Sequence, residues 1–460
     1  MVWLLVLACL LPTNVPLIRT SEPVPLPHIA FRVAHQNGVC SFVLSPNGKI
    51  LAMGGFESTI KLWDAQHGEL LHSLSIPGET AYSLAFSPDS ATLASGSDNH
   101  VAGAGRVTSS HAILWDTATG KQRTLLGSEN GKGDEDRYVE QVAFSPDGTQ
   151  VAVSTDKRDD IHSGVDLWDA HTGVLLRRTS ELPGYHLGLT FSPDGSAFAI
   201  GFTDRDAKSV EAKAGIYVWD TGSGVLTHTL FGHGASMLSP KFSPDGSLLA
   251  SDCTDVTGAG SILIWDARTG EEKRKLVRES TSVQGLVFSP DSKTLASVHI
   301  EMHPYQPDFS FSARYKLEAS HTDTVIWDLA SGKPLHVLPS QWISSFAYSP
   351  DGSQLVTKNS YSPFSFDDEK GKKSDQPRHS VLSLWDTKTG ALLLTVEVFD
   401  SRTRGASLTW IAYTPEGYCD GSPTINEVLR WHVGEDFFPA ARYARQYHRL
   451  DRIQAALQTK

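Results

Sequence analysis

The sequence predicts an all-β fold, a ring of four-stranded sheets, from three observations: a two-part phrase written seven times, alternating apolar residues around it, and explicit turn chemistry between the apolar runs. The first half of the phrase is a Ser-Pro-(Asp/Asn)-(Gly/Ser) turn. It stands at 44–48, 86–90, 144–148, 191–195, 242–246, 288–292 and 348–352. The second half is an apolar run ending in Trp-Asp, at Trp63-Asp64, Trp115-Asp116, Trp168-Asp169, Trp219-Asp220, Trp265-Asp266, Trp327-Asp328 and Trp385-Asp386.

Each unit reads as four short strands. Val142-Ala-Phe144 enters the Ser145-Pro-Asp-Gly148 turn, Val151-Ala-Val153 leaves it, Val165-Asp-Leu-Trp168 is the third strand, and Val174-Leu-Leu176 the fourth. One such sheet cannot bury both faces alone. Radially arranged neighbours cover them, which is the architecture of a β-propeller.

At these residues the chain resembles a bacterial WD40-repeat propeller with a strong Ser-Pro-Asp-Gly turn, over roughly residues 28–433. The resemblance implies a fold more than a function, because this architecture hosts many unrelated roles. Of the family's Gly-His element only Gly232-His233 is kept, with Ala34-His35 a partial copy. The buried His–Asp–Ser/Thr–Trp network of the family is therefore not expected in most blades.

Spacing favours an eighth, degenerate unit. Tyr413-Thr-Pro-Glu-Gly417 mimics the turn phrase, and Trp431 follows Trp385 at the interval separating Trp219 from Trp265. Leu429-Arg430-Trp431 would be a third strand with no fourth after it. His28–Val33 would supply that strand and close the ring, leaving no open sheet edge; seven blades plus an appendage is the alternative. The expected organisation is a signal peptide at 1–20, the propeller at 28–433 and a helical tail at 434–460. In that tail Tyr443, Tyr447, Leu450 and Leu457 share a helical stripe. The stretch from Tyr413 into the tail is also similar to an element of WD40 proteins associated with caspase-like peptidases, which implies recruitment to such a protease as one role.

The formal charge of −12 and pI near 5.8 argue against a nucleic-acid or anionic-membrane partner. The apolar stretch 2–11 is too short to span a bilayer and resembles a secretory h-region, so export to the periplasm or beyond is expected, with a cytoplasmic chain as the alternative. Cys40, Cys253 and Cys419 have no CxxC spacing and are expected as buried small residues, with a Cys40–Cys419 disulfide across the closure as the alternative.

From each Trp to the next turn proline the separation runs only from 23 to 31 residues, whereas from each proline to its own Trp it runs from 16 to 37. Growth is concentrated between second and third strands, at 98–111, 155–164, 202–214, 252–260, 298–322 and 358–380. Binding residues gather on such loops of a rigid scaffold. Tyr305, Phe309, Phe311, Arg314, Tyr315, Tyr361, Phe364 and Phe366 are the anchors expected there. His299, Glu301 and His303, with His321 and Asp323 at the far end of one insertion, are the candidate metal ligands, a set that suits zinc. No Gly-x-Ser-x-Gly elbow, P-loop or dinucleotide turn is present. The sequence therefore predicts a non-catalytic scaffold without a cofactor, a monomer within a complex that binds a protein or peptide. A metal-dependent or enzymatic propeller with a site near 298–323 is the alternative.

Overall fold

The structure, a computed structural model of the 460-residue chain, describes residues 39–55, 58–65, 69–98, 110–126, 137–157, 162–180, 182–203, 214–233, 239–254, 259–278, 281–301, 321–341, 343–361, 379–399, 409–413, 415, 419–421, 430–433 and 436–439. Seven antiparallel sheets follow one another, spanning 39–75, 80–126, 137–178, 185–233, 241–277, 281–341 and 343–399. Each has four strands paired in chain order. The third sheet gains the short strand Leu182–Pro183, and the seventh gains Thr409–Tyr413 and Cys419–Gly421 on its outer edge. No helix occurs among the described residues.

Seven is the alternative count of the sequence reading. The segment expected to head an eighth sheet instead pairs with Leu392–Phe399, setting Trp410 opposite Val398 and Tyr413 opposite Thr395. The physical reason is an open edge beside a β-branched and aromatic segment; pairing satisfies both. Strand Arg430–Val433 does gain a partner after it in sequence, Asp436–Pro439, with Trp431 opposite Phe438. Residues 436–439, read as the start of the tail helix, are thus a strand. Residues 28–33 and 440–460, and with them the proposed ring closure and helical stripe, lie outside the described residues.

Sheet two shows why these residues fold this way. Ser87 O accepts from Ser90 N (2.8 Å), Ser87 Oγ donates to Asp89 Oδ1 (2.5 Å) and accepts from Thr92 N (2.9 Å), so one serine closes the turn and starts the next strand. At the far end of the third strand Asp116 Oδ1 accepts from Thr119 N (2.8 Å) and Thr119 Oγ1 (2.7 Å), and Gly120 takes φ +66°. A bulge at the Trp recurs in all seven sheets, where one fourth-strand residue is skipped; at Trp115 it is Arg123.

The described residues fall into two compact units, one within 20–288 and 330–332, the other within 289–329 and 333–460. In the first, consecutive sheets pack face to face. Leu62, Leu74 and Ile76 of sheet one and the strand end that follows it meet Phe86, Leu93 and Trp115 of sheet two in one core, and the same alternation repeats from sheet two through sheet five. The turns stack likewise: a Cβ on Gly148, Gly195 or Gly246 would meet the turn proline of the preceding sheet, Pro88, Pro146 or Pro193. In the second unit Gly352 meets Pro290 in the same way.

Candidate functional site

The two ends of each sheet differ in chemistry. At the turn end the carboxylates are spent locally: Asp89, Asp147, Asp194, Asp291 and Asp351 each lie below the usual carboxylate range, chiefly because their own turn serine donates to them. Turns so closed have no slack to lengthen. In several sheets the fourth-strand residue opposite the one before the Trp adds a strut to the next sheet's Trp-Asp turn. His72 Nε2 meets Ala118 O (2.9 Å), His228 Nε2 meets Arg268 O (3.1 Å), His336 Nε2 meets Lys388 O (3.0 Å), and Arg274 binds Ala330 O.

At the opposite end lie the long connections and several buried titratable groups. In sheet two Glu79, 5% exposed, takes Ser97 Oγ on one oxygen (2.6 Å) and His111 Nδ1 on the other (2.5 Å), raising the His111 pKa through that hydrogen bond. In sheet five buried Asp252 accepts from Ser239 N and from Gly285 N of the next sheet's first strand (both 3.1 Å); burial raises its pKa against those bonds. Sheet four buries His186, whose pKa is pushed down to about 4 by burial alone. These residues were not singled out from sequence, since the partners of Glu79 and Asp252 are 13 to 33 positions away.

The Trp–hydroxyl bond that the resemblance implies is present in part. Trp115 Nε1 donates to Ser95 Oγ (2.9 Å), Trp327 Nε1 to Ser297 Oγ (2.8 Å) and Trp385 Nε1 to Thr357 Oγ1 (3.0 Å). The hydroxyl sits two residues beyond the Trp's cross-strand partner, on the same strand face. Sheets three and four hold Val153 and Ile200 at that position, and the indole N–H of Trp168 and Trp219 has no hydrogen-bond partner among the described residues.

Of the predicted metal ligands, the strand Thr294–Glu301 sets His299 opposite Asp323 and presents it to the Trp327 face. There it is 1% exposed, its Nε2 bonded to Ser297 Oγ (2.9 Å) and its ring 5.9 Å from the indole. The side chains of Glu301 and His321, and all of His303, lie outside the described residues. Among the described residues no group of three or more His, Cys, Asp or Glu could hold a metal ion. Tyr305, Phe309, Phe311, Arg314, Tyr315, Phe364, Phe366 and the side chain of Tyr361 also lie outside them. Cys253 is buried and free, bonded to Ser261 Oγ (3.0 Å), as its expected role requires; the side chains of Cys40 and Cys419 are not among those described.

Residues 28–64, 68–102 and 224–266 match the WD domain, G-beta repeat family. Protein hir1 of Schizosaccharomyces pombe is 26% identical over 47% of this chain and 24% of its own length. A WD repeat-containing protein of Synechocystis, sll1491, is 30% identical over 36% of this chain and 42% of its own. Autophagy-related protein 16 of Arabidopsis thaliana is 23% identical over 48% and 38%. The chain thus spans less than half the length of these curated relatives. A solved structure titled as the Dos1 propeller superposes with a TM-score of 0.53 at 16% identity, covering 70% of this chain and 76% of that one. No helix among the described residues is long and apolar enough to cross a membrane. The chain carries WD40 repeats, and its fold is a WD40-type β-propeller.

Proposed function

We propose that the protein is a non-catalytic scaffold that captures a protein or peptide through the sheet ends carrying the long connections. The observation behind this reading is the asymmetry of the two ends. Every Ser-Pro-Asp-Gly turn is a closed hydrogen-bonded unit, whereas the connections between second and third strands lengthen freely from sheet to sheet. Loop length is entropically inexpensive, about 0.6 kcal/mol per doubling. The tight turns hold one end short, and the other end is left to present side chains such as Tyr305, Phe309, Tyr361 and Phe364. WD40 propellers ordinarily bind protein partners, which is the role assigned here.

The test is to replace 302–318 and 361–377 separately by short Gly-Ser linkers and capture partners from the native organism. The folded chain should survive both replacements and lose the partners. Capture that survives both, yet fails when 440–460 is removed, would move the working surface to the tail and favour its resemblance to peptidase-associated proteins.

A further inference from the structure

Residues 182–188 join sheet three to sheet four, and they are tied to both. Leu182–Pro183 pairs back onto the third strand of sheet three, where Ser163 Oγ also donates to Gly184 O (2.8 Å). Tyr217 Oη of sheet four donates to Pro183 O (3.3 Å), and from Tyr185 the segment becomes that sheet's first strand. Gly184 (φ +107°) and Gly188 (φ +75°) bracket the strap in the left-handed region, and the pairing register breaks between Leu187 and Thr190. Between the two glycines sits His186.

His186 stands opposite Phe202 and is 1% exposed. Neither ring nitrogen has a hydrogen-bond partner among the described residues. Its ring meets Tyr217 edge-on at 6.0 Å, and Tyr217 stacks on Phe202 at 4.0 Å. Two unmet nitrogens in an aromatic enclosure cost stability, and structures seldom retain such groups without a use. Nothing among the described residues is placed to accept a hydrogen bond from an imidazolium there.

Strands packed against Tyr185–Phe191 are Arg137–Phe144, Gln150–Lys157, His162–Asp169, Ala197–Thr203 and Lys241–Phe242. They carry Arg137, Tyr138 and Glu140, then Asp156 and Lys157, then His162, Asp166 and Asp169, and finally Lys241; Ala197–Thr203 carries no titratable group. Asp166 is closed off by Arg178 at 3.0 Å on both oxygens, and Asp169 by its own turn. Burial is the cause of the lowered His186 pKa, and no carboxylate among the described residues is hydrogen-bonded to its ring.

We propose that residues 182–188 are an acid-released latch between sheets three and four, closed by the Ser163 and Tyr217 hydrogen bonds while His186 is neutral and opened when its imidazole takes up a proton. A histidine whose pKa is depressed in the closed state favours closure above its ordinary value of 6.5 and loses that preference as pH falls toward about 4. Between pH 7.5 and 5.0 the opening equilibrium should therefore rise about 30-fold. The latch lies outside the proposed loop anchors, so it stands or falls apart from the scaffold reading.

Hydrogen exchange on the full chain, corrected for chemical exchange at each pH, reads this directly. The amides of 185–189 should open about 30-fold more at pH 5.0 than at 7.5, and His186→Phe should abolish the rise. A wild-type rise under about threefold, or a rise that the variant keeps, overturns the latch. Should the variant fail to fold, nuclear magnetic resonance titration of the His186 ring in the wild type decides: a midpoint near 4 supports the latch, and one near 6.5 ends it.

Discussion

Threonine at position 153 would put a hydroxyl where Trp168 has none. Val153 is 3% exposed and occupies the position from which Ser95, Ser297 and Thr357 accept an indole N–H in their own sheets. Val→Thr exchanges a methyl for a hydroxyl at nearly constant volume. An unpaired buried hydroxyl costs about 1–3 kcal/mol, whereas the bond to Nε1 returns about 0.5–1.5 kcal/mol and satisfies a donor that is otherwise unmet. Val153→Thr should therefore lie within about 1 kcal/mol of wild type. The control is Val165→Thr, fully buried but on the strand face opposite Trp168, which should lose about 1–3 kcal/mol. Conversely, Thr357→Val removes the acceptor of Trp385 and should cost about 1–2 kcal/mol. Urea unfolding at pH 7.5, with unchanged m-values, measures all three. If Val153→Thr costs as much as Val165→Thr, or Thr357→Val costs nothing, the indole bond does not stabilise these sheets.

Three further outcomes follow from the geometry. Gly120→Ala would place a Cβ 2.7 Å from the His72 ring at φ +66°, so a loss of about 1–2 kcal/mol from the backbone alone is expected, plus a steric part that His72→Ala relieves in a double-mutant cycle. Because the Glu79 bond raises the His111 pKa, its stabilisation is complete below 6.5 and fades as pH rises through the folded value; Glu79→Gln should flatten that part of the stability profile, and an unchanged profile would remove the pair from the argument. A metal at His299, Glu301, His303, His321 and Asp323 must displace Ser297 from His299 Nε2 or use the other nitrogen. Near-stoichiometric zinc that His299→Ala abolishes would support that reading, and under about a tenth of an equivalent after purification without chelator would end it.

The repeat was legible because its causes are local. A serine that bonds Asp two residues on and the backbone five residues on needs only its own segment, so the phrase alone marks turn, strand and strand end. The length asymmetry was legible for the same reason, since closed turns leave growth to the other connections. Even the tryptophan bonds can be read from a period of two, once Ser95, Ser297 and Thr357 are aligned against Val153 and Ile200. Tertiary structure decided what depends on neighbours. The strand expected to open an eighth sheet was taken by the free edge of the seventh, an outcome set by an available edge and not by the segment's own pattern. His299, read as a candidate ligand within the 298–322 insertion, was turned inward by strand pairing onto Trp327 and Ser297. Glu79 joins Ser97 to His111, and His186 is buried beside Phe202 and Tyr217, because burial and charge pairing arise only when distant strands meet.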